Sequence, residues 1–259
     1  MRPFSREVAY LVRGAVEAVA PHFVFWAVRR QARDPELALL PRLCDPWRAA
    51  IDVGAHEGVY TLPMCRCARE VIAFEPNPLL ATFLRRVLVG VQIEEVALSD
   101  RPGSAELRIP RYGYGQATME AENTLAQLAA RDEIRAVEVA SRRLDDYPLA
   151  DCGFVKIDVE GFEDAVLRGA RETILRHRPN LLVELEERHK RGAIAATTRM
   201  LSAWGYDGFY YHDGELWPIA TFDVTRHQAL ENVGREDKYL NNFIYAPRGT
   251  LRPGVPPVP

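Results

Sequence analysis

The segment Asp52-Val53-Gly54-Ala55-His56-Glu57-Gly58 places small residues and an acid where an apolar run, 50–54, gives way to a helical pattern from about Glu57. Small residues at such a turn let backbone N–H groups approach a ligand, and a helix start offers it oriented donors. Glu75 closes the next apolar run, 71–75, at roughly the 20-residue distance at which an acid meets the two hydroxyls of a ribose in nucleotide-binding sheets. Dehydrogenases and other doubly wound proteins share that pairing, so alone it points to a nucleotide-like ligand and no further.

A second set of ionisable residues could do acid–base work. Asp158 ends the run 154–159, Glu160 follows before Gly161, and strand alternation puts Lys156, Asp158 and Glu160 on one face. The run 180–186 ends in Glu184 and Glu186, with His189 just beyond, at the same sheet edge if the strands are parallel. Such a group can take a proton from an acceptor hydroxyl, which typically adds ~10²–10⁴-fold. It can also hold a divalent ion such as magnesium, with Asp158, Glu184 and Glu186 as candidate ligands. The plainer alternatives make Asp158 and Glu160 caps of a helix over 162–177, and Glu187, Arg188, Lys190 and Arg191 a solvated charged turn. Tyr112, Tyr114, Trp204, Tyr206, Tyr210, Tyr211 and Trp217 are candidates to line an acceptor site, although most belong in the core or at its rim.

Positioning these groups requires alternating strands and helices. Runs at 50–54, 71–75, 92–98, 154–159 and 180–186 alternate with helical patterns from about 57, from about 78, over 162–177 and over 193–204. That order predicts an α/β fold, a doubly wound, mostly parallel sheet with right-handed crossovers. Runs at 105–109 and 137–141 read as further strands, and 208–211 and 242–245 as late ones. The expected organisation is an N-terminal helical extension over 1–48, one domain over 49–247 with an insertion at about 111–135, and a proline-rich, loosely attached tail over 248–259.

Five blocks in order resemble the FkbM-type methyltransferases. They are Ile51-Asp52-Val53-Gly54-Ala55-His56-Glu57-Gly58-Val59-Tyr60-Thr61-Leu62; Ala73-Phe74-Glu75-Pro76-Asn77-Pro78; Val96-Ala97-Leu98-Ser99-Asp100 with Gly103; Val155-Lys156-Ile157-Asp158-Val159-Glu160-Gly161 with Leu167 and Gly169; and Arg178-Pro179-Asn180-Leu181-Leu182-Val183-Glu184. Asn241-Asn242-Phe243-Ile244 is similar to the family's closing strand. The resemblance implies a Rossmann-like class I methyltransferase fold and S-adenosylmethionine as cofactor. It implies that the turn with Asp52, Gly54, Ala55, His56 and Gly58 holds the methionine part, Glu75 the ribose, and Ala97, Leu98 and Ser99 the adenine, with Tyr60, Pro76, Asn77 and Asp158 also at the cofactor. Asp158, Glu160, Glu184 and His189 are then the catalytic candidates. His56 stands where the family pattern has Asn, and is read as a neutral replacement.

The expected activity is O-methylation of a hydroxyl on a sugar, glycan or polyketide-type product, the hydroxyl preference coming from the resemblance. The rivals are N- or carboxyl methylation on the same scaffold, and a nucleotide-binding module without turnover. Hydride transfer is disfavoured because the glycine spacing is not the dinucleotide fingerprint. With 33 Lys and Arg against 36 Asp and Glu, and no sustained basic run, a nucleic-acid partner is not expected. The apolar stretch 8–28 is interrupted by Arg13 and Glu17 and is too short between charges to span a bilayer. It reads as an amphipathic helix whose Phe23, Phe25 and Trp26 are a candidate homo-oligomer or membrane-surface contact. Cys44, Cys65, Cys67 and Cys152 make no disulfide framework, which fits a reducing cytoplasm, and Cys65 and Cys67 are expected as buried helix thiols.

Overall fold

The computed structural model describes residues 34–110, 117–119, 134–233, 235 and 238–254, together with His22. The expected helix over 8–28, most of the insertion with Tyr112 and Tyr114, and the end of the tail lie outside the described residues.

Eight strands form one sheet in the order β10-β9-β11-β8-β7-β1-β2-β3. They are β1 (Ala49–Val53), β2 (Glu70–Phe74), β3 (Gln92–Glu94), β7 (Phe154–Ile157), β8 (Asn180–Glu184), β9 (Tyr206–His212), β10 (Glu215–Pro218) and β11 (Asn242–Pro247). β3, β2, β1, β7 and β8 pair in parallel, whereas β11 runs antiparallel to both β8 and β9. Because β1 is covered on both faces, all five of its residues are buried, and its run reads as continuously apolar apart from Asp52. One side packs Ile51, Val155, Ile157 and Leu181 against Val166, Leu167 and Ile174 from the helices α4 (Glu163–Gly169) and α5 (Arg171–His177). The other packs Ala50, Phe154 and Leu182 against Leu39, Tyr60, and Leu40 and Leu43 of the short helix α1 (Leu40–Leu43). A fully buried aliphatic side chain contributes about 1.5–3 kcal/mol, so residues 39–43 are part of this core although they precede β1.

A smaller sheet, β4-β6-β5, stands over the carboxyl edge: β4 (Ala97–Leu98), β5 (Gly103–Pro110) and β6 (Ile134–Arg142). Ala97, Leu107, Ile109 and Val139 form its apolar face.

Several local expectations need correction. The strand expected over 92–98 is two, because the chain leaves the main sheet after Glu94 and Ala97 pairs instead with Ser141. The helix expected from Glu57 is the short α2 (Thr61–Met64), which leaves Cys65 exposed and Cys67 half-buried in the following turn, while Cys44 and Cys152 are buried. The helix over 162–177 is interrupted at Ala170. β10 went unseen because it is four residues long and ends in proline, a residue that only an edge strand tolerates well. The described part of the tail is fastened, with Arg248 N–H donating to Gly205 O at 3.0 Å and Gly254 N–H to Leu216 O at 3.1 Å. Among the described residues no helix is long and apolar enough to cross a membrane.

Gly169, the last residue of α4, lies where an added Cβ would come within 1.9 Å of the Ser99 carbonyl oxygen. Gly169→Ala must push α4 away from the segment after β4. The expected loss is about 1–3 kcal/mol, read as a lower urea midpoint. An unchanged midpoint would show that the approach is not a constraint.

Candidate active site

In this sheet β2 and β3 lie on one side of β1, and β7 and β8 on the other. The crevice outside the carboxyl ends of β1 and β7 is therefore the place where doubly wound sheets bind ligands. A cavity of about 220 Å³ opens there, lined by residues 53–56 after β1, Phe74-Glu75-Pro76 after β2, and Lys156, Asp158, Val159 and Glu160 at the end of β7. Val96, Ala97, Leu98, Leu107, Ala117 and Met119 form its apolar wall at the small sheet.

The turn after β1 is locked to the end of β7. Gly54 has φ +78°, and an added Cβ would lie 1.9 Å from the Asp158 carbonyl oxygen. Asp158 N–H in turn donates to Val53 O at 3.0 Å, and Gly54 N–H and Ala55 N–H both donate to Phe74 O. His56 has φ +49°. Among non-glycine residues Asn, Asp and His enter that left-handed region most readily, which gives a physical reason why His can stand where the resemblance leads one to expect Asn.

Glu75 is buried, and each carboxylate oxygen accepts one backbone N–H: Oε2 from His56 and Oε1 from Asn77, both at 2.8 Å. Burial nevertheless pushes its pKa up to about 7, against the pull of those two donors. Asn77 caps the helix α3 (Pro78–Val87), its Oδ1 accepting from Leu79 N–H at 3.1 Å.

Across the cavity, Asp158 Oδ2 lies 2.9 Å from Lys156 Nζ, whose ammonium stands 4.7 Å from the centre of the Tyr60 ring. Glu160 sits in the left-handed region at φ +56°, and its carbonyl accepts from Thr118 Oγ1 at 2.7 Å. Neither acid caps α4. Glu163 braces the turn instead, its Oε1 accepting from Gly161 N–H at 2.9 Å and Val159 N–H at 3.3 Å, and burial lifts its pKa to about 7. Glu163 had no signal in the sequence beyond its place after Gly161.

Behind this wall lies a connected polar layer. His189 Nδ1 is 3.1 Å from Glu160 Oε2, burial holding the imidazole below its usual range and raising Glu160 well above the carboxylate range. Asn241 Nδ2 donates to Glu184 Oε1 at 2.6 Å and Glu186 Oε1 at 3.2 Å, while Tyr239 Oη donates to Glu186 at 2.7 Å. Burial also raises Glu184, helped by repulsion from Asp158 and Glu160. For Glu186 the ion pair with Arg188 overcomes burial and draws the pKa down to about 2. The turn after β8 is thus more than a solvated charged loop: Glu187 accepts from Gly192 and Ile194 N–H, and Lys190 Nζ is 3.2 Å from Asp164.

Of the residues singled out in the sequence, Gly54, Ala55, His56, Tyr60, Glu75, Pro76, Ala97, Leu98, Asp158 and Glu160 line the cavity. The lining does not include Asp52, Gly58, Asn77, Ser99, Glu184, Glu186 or His189. Asp52 is wholly buried under it, with Thr61 Oγ1 donating to its Oδ2 at 2.6 Å. Among the described residues no three His, Cys, Asp or Glu side chains gather so as to hold a metal ion. Two charged lining residues, Asp34 and Lys156, are not among the catalytic or cofactor-binding residues expected from the sequence.

The sequence model of the methyltransferase FkbM domain matches residues 52–208. Among curated relatives, Methyltransferase 1 of Beauveria bassiana (strain ARSEF 2860) is 29% identical over 178 residues, 60% of this chain and 71% of its own. 2-O-methyltransferase NoeI of Sinorhizobium fredii (strain NBRC 101917 / NGR234) is 28% identical over 145 residues, 49% of this chain and 59% of its own. The crystal structure of methyltransferase FkbM from Methylobacillus flagellatus KT shares the fold at TM-score 0.51 and 15% identity, over 78% of this chain. The match spans 44% of that longer chain.

Proposed function

Because this chain belongs to the family of methyltransferases with the FkbM domain, we propose that it moves a methyl group from S-adenosylmethionine to a hydroxyl of a sugar, glycan or polyketide-type product. The observation that carries the reading is the cavity itself, with Glu75 on one side of the β1 turn and Asp158 and Glu160 on the other. Glu75 fits a ribose diol. A carboxylate has about four acceptor sites, the two backbone donors use one on each oxygen, and one on each is left for a hydroxyl. Burial holds the lining acids Asp34, Glu75 and Glu160 toward their neutral forms, and a bound sulfonium would favour their ionised forms. The hydroxyl acceptor is supported by the Sinorhizobium relative, a 2-O-methyltransferase.

When bound, S-adenosylmethionine supplies an electrophilic methyl group on a sulfonium sulfur. The chain's own work is placement and proton handling. Residues 54–56 and Glu75 fix one end of the ligand, and the apolar wall of Val96, Leu98, Leu107 and Met119 keeps water from the other. Positioning of this kind can supply on the order of 7–11 kcal/mol in favourable cases. Asp158, held by Lys156, is the group that takes the acceptor's proton, and the buried Glu160–His189 pair orients the acceptor beside it.

Calorimetric titration with S-adenosylmethionine, S-adenosylhomocysteine and NAD in parallel, with and without magnesium, tests the cofactor. Binding of the adenosyl compounds and not of NAD is expected; NAD binding alone, or no binding, overturns the reading. Hydroxyl compounds offered with the cofactor are then expected to gain the mass of one CH2. Gain confined to amines or carboxylates would overturn the O-methylation part.

A further inference from the structure

Asp34 stands immediately before the 3₁₀ turn Pro35–Leu39, in the position from which an acid ordinarily caps, yet its side chain makes no cap bond. Leu39 and Leu40 are each 1% exposed, so the core fixes where Asp34 stands, and Asp34 lines the cavity with its carboxyl within electrostatic reach of Lys156. The Tyr60 hydroxyl, beside it in that wall, is buried and has no hydrogen-bond partner of normal geometry. Lys156 completes the group: its side chain is 5% exposed, its ammonium stands over the Tyr60 ring, and among the described residues it gives one hydrogen bond, to Asp158, although an ammonium carries three donors. An acid, a hydroxyl that leans on it without a well-formed hydrogen bond, and an ammonium with spare donors thus share one wall, next to the Gly54–His56 turn. Their complement is a ligand end that bears both an ammonium and a carboxylate.

Resting on the cofactor reading above, we propose that Asp34, Tyr60 and Lys156 clasp the α-amino-acid end of the cofactor, Lys156 taking the carboxylate and Asp34 with the Tyr60 hydroxyl taking the ammonium. Electrostatics are consistent with this. Burial raises Asp34 above the usual carboxylate range, with Lys156 pulling the other way, and a bound ammonium would favour the ionised carboxyl further. The 34–39 segment, which precedes the first strand, then belongs to the binding site.

Truncating the ligand tests this separately from the fold. S-adenosylhomocysteine carries the amino-acid end; 5′-methylthioadenosine keeps the nucleoside thioether and lacks it. Wild-type protein is expected to prefer the first in calorimetric titration. Asp34→Asn and Lys156→Met are each expected to weaken S-adenosylhomocysteine roughly tenfold to a hundredfold, the range of one charge-assisted hydrogen bond, with 5′-methylthioadenosine changed less than about threefold. The second ligand also serves as the control for a folded site, and Lys156→Arg should recover part of the preference. A preference that survives in both variants, or parallel loss of both ligands, overturns the clasp. A wild-type chain that binds neither ligand overturns the cofactor reading beneath it.

Discussion

Glu75→Ala is expected to weaken S-adenosylhomocysteine binding by about 10²–10⁴-fold, since two charge-assisted hydrogen bonds at about 1.5–3 kcal/mol each are removed together. The wild-type protein should carry the signature of this carboxyl in its pH dependence. The folded, ligand-free chain holds Glu75 at about 7, above its ordinary 4.5, so the fold binds an extra proton between those values. Stability owed to protonated Glu75 is complete below pH 4.5 and is lost as pH rises through 7. Ligand affinity should move the opposite way. Only the ionised carboxylate can accept from both hydroxyls, so affinity rises by up to about tenfold per pH unit below 7 and levels off above it. Titrations from pH 5.5 to 8.5 read this directly. An affinity of Glu75→Ala within threefold of wild type, or a flat wild-type profile, would remove Glu75 from the site.

Asp158→Asn is expected to lower kcat by about 10²–10⁴-fold while S-adenosylhomocysteine binds within a few-fold of wild type. The backbone of residue 158 supplies the contacts with Val53 and Gly54, and among the described residues the side chain's one ion pair is with Lys156. The substitution therefore spares the turn and removes the proposed proton acceptor. Single-turnover kinetics with a hydroxyl acceptor, alongside the binding titration, separate the two effects. Equal losses of binding in Asp158→Asn and Glu75→Ala would sink the division of labour between these acids.

The parts of the site that could be read from sequence are those carried by the parallel strands. Val53, Phe74 and Ile157 each end an apolar run, and the acid or glycine that follows each one is thereby placed at a known edge. Contacts made by long-range packing were not legible. Nothing local marks Asp34, whose position depends on Leu39 and Leu40 docking on the far face of a sheet that follows them. The run at 92–98 looks like one strand because apolar pattern reports burial and is blind to a change of sheet at Glu94. The block resembling Arg178-Pro179-Asn180 illustrates the opposite ambiguity. Arg178 donates to Trp204 O and Gly205 O, and Asn180 Nδ2 to Leu43 O at 2.9 Å, so those residues tie helices to strands and take no part in the cavity. A family motif mixes both kinds of residue, and only the fold sorts them.

His56 and Glu160 both adopt left-handed backbone without being glycine, one on each side of the cavity. Such corners carry an energetic penalty of about 1–3 kcal/mol apiece, which packing elsewhere must offset. Glycine would relieve either corner, so heat resistance and methyl transfer pull residue 160 toward different amino acids. A laboratory evolution campaign that screened this protein on thermal survival alone would be drawn to position 160 and would enrich robust proteins that had shed a carboxyl from the cavity wall.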